Sequence, residues 1–271
     1  MVTPTPYPDL AIGDYHAMAN VSPSKLKAIA RSPLHFYAAH VDPTRPMATA
    51  PTAAMVRGSA LHIAALEPHR WDEAVAVAPI TDRRTKVGKL AWEQFQAASS
   101  GRLILSADDA ESVRAMATAI RQHPAARFIL EMEGLVEQSY TWTDPTTGLP
   151  CKCRPDWHDT TGRIVVDVKT TSSGVGREEF SRTIHSYGYH LQAAWNVDAL
   201  GAEQFLWICV EPEPPYAVAV YPASTSCLDA GRRRITSLLA TLAECYRTNS
   251  WPGPAGELIA DPIDLPTWNH D

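Results

Sequence analysis

A chain of 271 residues, 45% hydrophobic and 20% charged, can bury a full core as one large domain or two small ones. No apolar run approaches the roughly 20 residues that span a bilayer. The formal net charge of −6 argues against a general nucleic-acid coat protein and leaves room for a local basic groove. Met1 to Asp14 is Pro-rich and acidic, without the basic and apolar regions of a signal peptide. With scattered cysteines (Cys151, Cys153, Cys209, Cys227, Cys245), the expectation is free thiols in a reducing cytoplasm.

In chain order, residues 1 to 20 read as irregular. Ser22-Pro23-Ser24 reads as the N-cap of a helix running through Ala30, with Pro at its first position. Ser32-Pro33 breaks it, and a short helix follows through Tyr37. Asp42 to Pro51 is a Pro/Thr linker. Ala53 to Glu67 has apolar residues at helical spacing (Met55, Leu61, Ala65, Leu66). Pro79 to Lys86 is a polar loop. Lys89 to Ser99 and Ala107 to His123 are helices, the latter capped at Ser106 and stopped by Pro124.

The pattern then changes to strands: Leu135 to Thr143, a turn at Asp144 to Gly148, Lys152 to Trp157, and Arg163 to Thr170. A long helix spans Glu178 to Leu200. Strands Gln204 to Val210 and Tyr216 to Tyr221 flank Glu211-Pro212-Glu213-Pro214, and a helix covers Thr225 to Arg247. The domain organisation expected is an irregular segment 1–20, one domain over 21–250, and a Pro/Gly-rich tail 251–271. Within the domain a helical part covers about 21–130 and a catalytic sheet with helices about 131–250.

The most informative pattern is Arg154-Pro155-Asp156 followed by Asp167-Val168-Lys169. Strand side chains alternate, so Asp167 and Lys169 share a face. Ile164 to Thr170 is rich in β-branched residues. His158 to Gly162 reads as a turn, and a short hairpin would bring Asp156 across from Asp167. Two carboxylates beside one ammonium suit a hard cation such as Mg²⁺, and the Lys suits a water or a developing oxyanion. On a solvated strand the same residues would be ordinary surface charge. The apolar neighbours Val165, Val166 and Val168 favour a central strand, where charge is costly.

Glu137 can add a carboxylate, or face solvent opposite Lys152 or Arg154. Gly58 inside a helix costs about 1 kcal/mol relative to Ala, which suggests that something approaches its face, and His62 shares that face. Tyr189 and Gln192 share a helix face and carry groups suited to phosphate or base contacts, while Tyr187 reads as a packing residue. Arg83-Arg84-Thr85-Lys86 with Lys89 is a basic cluster, and Arg232 to Arg234 reads as a solvated face. The cysteine spacing argues against zinc or an iron–sulfur cluster. Phosphate-loop, dinucleotide, nucleophile-elbow and HExxH motifs are missing from the sequence.

Gly58-x-x-x-His62, Arg154-Pro155-Asp156, Asp167-Val168-Lys169-Thr170-Thr171 and Tyr189-His190-x-Gln192 occur in this order. Together they resemble the RecE (exonuclease VIII) nuclease domain, of the RecB-like branch of the PD-(D/E)XK nucleases. Tyr15-His16, Ser22 to Lys25 and Arg31-Ser32-Pro33-x-His35 resemble that group's N-terminal segment. The resemblance implies an α/β (α+β) nuclease core, a mixed central β-sheet flanked by helices, with a helical N-terminal part.

It implies that Asp156, Asp167, the Val168 carbonyl and His62 hold Mg²⁺, with Mn²⁺ able to substitute. Lys169 would position or activate the attacking water, and Glu137 would be an acidic residue near the site. Tyr189 and Gln192, with Arg154, would contact DNA. It further implies a 5′ to 3′ exonuclease on linear double-stranded DNA ends that leaves a 3′ overhang for a RecT-type annealing protein. A toroidal trimer or tetramer of phage or prophage origin would be the form. Trp195-Asn196 stand where the family has an aromatic such as Tyr, and RecE's long extra N-terminal region has no counterpart in this sequence. Alternatives are a non-catalytic DNA-end-binding module, a single-strand-specific relative, or a small-phosphate hydrolase. The single-strand-specific relatives carry four clustered cysteines, which this spacing lacks.

Overall fold

The computed structural model describes residues 3–45, 50–255 and 262. Contrary to the irregular start expected, Thr5–Tyr7 forms a strand (β1) and Ile12–Ala17 a helix (α1). β1 pairs antiparallel with Ser139 to Thr141, so its backbone groups find partners a lone segment would lack. Helix α2 is Pro23–Arg31, with Pro at its first position, where the missing N–H costs nothing. The Ser22 hydroxyl turns to Ser24 Oγ at 3.0 Å and makes no capping bond. Pro33–His40 is α3, and Ser32 accepts from the His35 N–H. The expected linker lies partly outside the described residues.

Ala53–Leu66 is α4, capped by Thr52. A 3₁₀ turn at Pro68–Arg70 leads to the short α5, Trp71–Ala74. Val75–Val77 (β2) and Leu103–Leu105 (β3) pair in parallel around α6, Lys86–Ala98. Three-residue strands are too short to show a period of two, so the sequence does not reveal them. Ala107–Gln122 is α7, capped by Ser106 as expected. Pro124 stops it and also starts α8, Pro124–Leu130.

The meander is broken more often than its sequence suggests. Gly134–Val136 (β4) and Ser139–Thr143 (β5) replace one expected strand; Pro150–Cys153 (β6) and Trp157–Asp159 (β7) replace another. Glu137 at φ 52° breaks the first. At the second, Pro155 has no N–H for a ladder. Both breaks shift the chain between sheets. β1, β5 and β6 form one sheet, and β4 and β7 join the central one. His158 and Asp159 therefore lie in a strand rather than in the expected turn, which is moved to Thr160 to Arg163.

Ile164–Thr170 is β8, at the centre of the order β10-β9-β8-β7-β4. The expected helix over Glu178 to Leu200 is two, α9 (Arg177–Tyr187) and α10 (Tyr189–Leu200), split by Gly188 at φ 65°. Gln204–Val210 is β9, Val218–Pro222 is β10 and Thr225–Thr248 is α11. β8 runs antiparallel to β7 and parallel to β9, the mixed sheet expected.

Alternation along β8 divides the core. Val166 and Val168 pack with Leu61, Val113, Met116 and Ile120 of α4 and α7. Val165 packs on the other face with Phe180, Ala194, Val197 and Trp207. Asp167 and Lys169 share the phase of Val165, so they point toward α10. A further cluster joins α2, α3 and α11 to Cys151, Cys153 and Trp195. Trp251, at the start of the expected tail, stacks on Phe36; most of that tail lies outside the described residues. Among the described residues, no helix is long and apolar enough to cross a membrane.

Helix α11 sets the position of α10 through Gly231, where a Cβ would meet the His190 carbonyl oxygen at 2.3 Å. At Gly58 a Cβ would meet nothing within 4 Å, so no part of the described chain makes the close approach its position suggested. Gly231→Ala should lower Tm, because overpacking costs about 1–3 kcal/mol. Gly58→Ala should raise it through about 1 kcal/mol of helix propensity. The same response in both variants, read by thermal denaturation, would contradict this packing.

Candidate active site

The strand registers set three carboxylates side by side. Trp157 pairs with Val166 and Val136 with Trp157. One step along, Asp156 therefore stands opposite Asp167, and the Glu137 N–H donates to the Asp156 carbonyl at 3.0 Å. Asp156 and Asp167 are buried, at 6% and 0% exposure. The Val168 N–H donates to Asp156 Oδ2 at 2.7 Å. Lys169 Nζ forms an ion pair with Asp167 Oδ2, and Gln192 Nε2 donates to Asp167 Oδ1 at 2.6 Å. That Oδ2 is buried and takes no well-aligned hydrogen bond.

Helix α4 brings His62 from the opposite side of the sheet. Its Nε2 lies 3.1 Å from the Val168 carbonyl oxygen and 3.4 Å from Asp156 Oδ2. Its Nδ1 lies 3.5 Å from Glu137 Oε1. Glu137 Oε2 accepts from Arg154 Nε at 2.9 Å. Arg154 also donates to the Leu10 carbonyl and to Ser139 Oγ, each at 2.8 Å. The N-terminal segment thus braces Arg154, and Arg154 braces Glu137. Glu137 faces Arg154, one of its two expected partners, but inside the site and not in solvent.

The electrostatics follow from burying these acids together. Burial pushes the Asp156 carboxyl up to about 7, with Asp167 and Glu137 adding to it against the pull of His62 and Lys169. Burial lowers the His62 imidazole, but Asp156 and Glu137 outweigh it and lift it to about 9. Burial likewise opposes the Lys169 ammonium, and Asp167 and Asp156 raise its proton affinity regardless. Burial raises Glu137, yet His62 and Arg154 bring it below the usual carboxylate range.

Ligand atoms of His62, Glu137 and Asp156 lie within 4.8 Å of one another. The tight cluster therefore includes Glu137, which the sequence offered as a further carboxylate, while Asp167 is turned to Lys169 and Gln192. Carboxylate oxygens, a carbonyl oxygen and one imidazole suit Mg²⁺ or Mn²⁺, the latter more tolerant of nitrogen. Asp167 Oδ2, ion-paired with Lys169 Nζ, is a further carboxylate oxygen beside this cluster.

Tyr189, expected to touch DNA, has Lys169 Nζ at 5.1 Å from its ring centroid and Lys27 Nζ at 5.6 Å. Gln192, expected to do the same, gives its amide to Asp167. Tyr187 is 61% exposed, which corrects its reading as a packing residue. Lys27 was not foreseen, since only the tertiary fold brings α2 here. Buried Lys152 was not foreseen either: it is held by the carbonyls of Tyr15 and Met18, and burial brings it down to about 8. Trp195 is buried and donates to the Lys152 carbonyl at 3.0 Å. Arg232 pairs with Asp198 and Asp229, in line with a solvated face.

The profile of a family described as "PDDEXK-like domain of unknown function (DUF3799)" matches residues 22–260. A comparison with curated proteins returns no match. Among solved structures, a candidate exonuclease from Eubacterium rectale is similar at TM-score 0.57 and 14% identity, over 94% of this chain and 96% of that one. A phage-related exonuclease from Haemophilus somnus 129PT is similar at TM-score 0.35 and 10% identity, over 49% and 69%. The first shares the fold along almost the whole length of both chains.

Asp156 and His62 both hold protons more tightly in the folded chain. Without metal, the stability they contribute is full at low pH and is lost as pH rises, through about 7 for Asp156 and about 9 for His62. A divalent ion must displace these protons, so its stabilisation should grow with pH. Mn²⁺ should raise Tm more at about pH 8.5 than at about pH 6; equal increments at both would contradict this ligand set.

Proposed function

Because the chain belongs to the PDDEXK-like domain family, we propose that it is a divalent-metal-dependent nuclease that digests linear double-stranded DNA from its ends. The observation that carries this reading is the buried pair Asp156, just before β7, and Asp167 of β8, set opposite each other with Lys169 and His62 beside them. A carboxylate pair at such a depth is costly unless a cation or a reaction uses it.

His62, Glu137 and Asp156, with Asp167 and the Val168 carbonyl opposite, are the residues that would hold the ion. A bound Mg²⁺ or Mn²⁺ would offset phosphate charge and lower the pKa of a water. Lys169 keeps its proton, because Asp167 and Asp156 raise its affinity. It therefore acts as a donor that orients the attacking water or steadies developing negative charge, and not as the base. Gln192 holds Asp167 in its rotamer, and the Val168 N–H does the same for Asp156.

The resemblance of four ordered motifs to the RecE domain supports the finer parts of the proposal. These are 5′ to 3′ polarity, a 3′ overhang passed to a RecT-type annealing protein, and a ring-shaped trimer or tetramer around the duplex. Phosphate contacts would give affinity without sequence reading, as a processive exonuclease requires.

Linear duplex labelled at either end, incubated with Mg²⁺ or with EDTA, tests the proposal. Mg²⁺-dependent release of the 5′ label is expected, with closed circular DNA spared. Lys169→Ala should slow release by about 10²–10³-fold, the usual effect of removing one such donor. No degradation with any divalent metal would refute the nuclease reading, and release of the 3′ label first would refute the polarity.

A further inference from the structure

Residues two apart on a continuous α-helix point roughly 200° apart and cannot stack. Tyr187 and Tyr189 nevertheless stack, with centroids 5.6 Å apart and planes 18° from parallel. Gly188 makes this possible. Its left-handed φ of 65° ends α9 and starts α10 at a new angle, a conformation that a side chain would strain. The inner ring, Tyr189, lies against Lys169 and Lys27. The outer ring, Tyr187, is open to solvent. The kink thus builds an aromatic step that leads from the surface to the catalytic lysine.

Two more observations say what the step would carry. A cavity of about 330 Å³ opens beside Tyr187, lined by polar side chains including Ser173, Glu179, Arg182 and Ser186. Ser173 follows the end of β8, so the cavity adjoins the strand that bears Asp167 and Lys169. On the other side, Lys27 and Lys169 are like charges over one ring. Burial, and after it the Lys169 charge, disfavour the Lys27 ammonium against the pull of Asp167, and Lys27 makes no ion pair among the described residues. An anion between them would relieve that repulsion.

We propose that Tyr187, Tyr189 and Lys27 form a nucleotide-binding step, in which a base of the strand being cut stacks on the outer face of Tyr187 while Lys27 takes the adjoining phosphate. The polar cavity receives the edge of that base. The step serves single-stranded ends, because a paired base is already stacked in its duplex. This inference rests on the nuclease reading above.

The test is binding of a dye-labelled duplex with a frayed end, followed by fluorescence anisotropy in EDTA and in Ca²⁺, with KM for the same duplex in Mg²⁺. Tyr187→Ala should weaken binding about 5- to 100-fold, the range of one lost stacking contact, and raise KM more than it lowers kcat. Tyr187→Phe should stay within about twofold of wild type, since the stack needs only the ring. Lys27→Ala should weaken binding and reduce the salt slope by about one, whereas Tyr187→Ala should leave that slope unchanged. Tyr187 is exposed, so its variants should keep the wild-type Tm. Wild-type binding by Tyr187→Ala, or equal loss in Tyr187→Ala and Tyr187→Phe, would overturn the step and leave the nuclease reading standing. A wild-type protein that neither binds nor cuts DNA would overturn both.

Discussion

The central constraint on this structure is a row of carboxylates on β8 and at the ends of β4 and β7, two of them buried. Glu137 and Asp156 meet across one strand pair and Asp156 and Asp167 across the next. Coulomb repulsion at such separations is severe in a low-dielectric interior, so nearby groups are arranged to offset it. Lys169 and Gln192 address Asp167, the Val168 amide and His62 address Asp156, and Arg154 addresses Glu137. The compensating groups come from β8, α4, α10 and the segment between β6 and β7, so assembling the row requires the fold to be complete.

The same constraint accounts for features distant from the acids. The N-terminal segment adds β1 to the small sheet and supplies the Leu10 carbonyl that holds Arg154. Lys152, buried beneath that segment, ties it down through the carbonyls of Tyr15 and Met18. Trp195 in turn holds the Lys152 carbonyl. On the far side, α11 presses on α10 at Gly231 and so sets the height at which Gln192 meets Asp167. Helices α10 and α11 thus help to fix the angles of the site.

How far the sequence revealed this depended on the range of the interaction. Period-two alternation was enough to place Asp167 and Lys169 together, and hairpin spacing was enough to set Asp156 opposite Asp167. The sheet switch was hidden, because Val136 to Thr143 keeps a strand-like composition straight through the left-handed Glu137. The break at Gly188 was hidden for a similar reason: Phe180, Ile184, Leu191 and Ala194 keep apolar spacing across it. Arg154 was implied as a DNA contact by the resemblance and weighed as a partner of Glu137 on a solvated face; only the fold shows that pair inside the site and Arg154 also bound to the N-terminal segment. Lys27 and the stacked tyrosines depend on tertiary placement, which no local pattern encodes.

The claim on which the account rests is that Asp156 belongs to a preformed site for a divalent cation. Calorimetric titration of Mn²⁺ into wild type and into the near-isosteric Asp156→Asn tests it most directly, with circular dichroism to show that both are folded. The account predicts saturable binding by wild type that is lost or weakened at least about tenfold in Asp156→Asn, since one anionic ligand is removed. Equal Mn²⁺ affinity in the two proteins would contradict it, and the buried acids would then need another explanation.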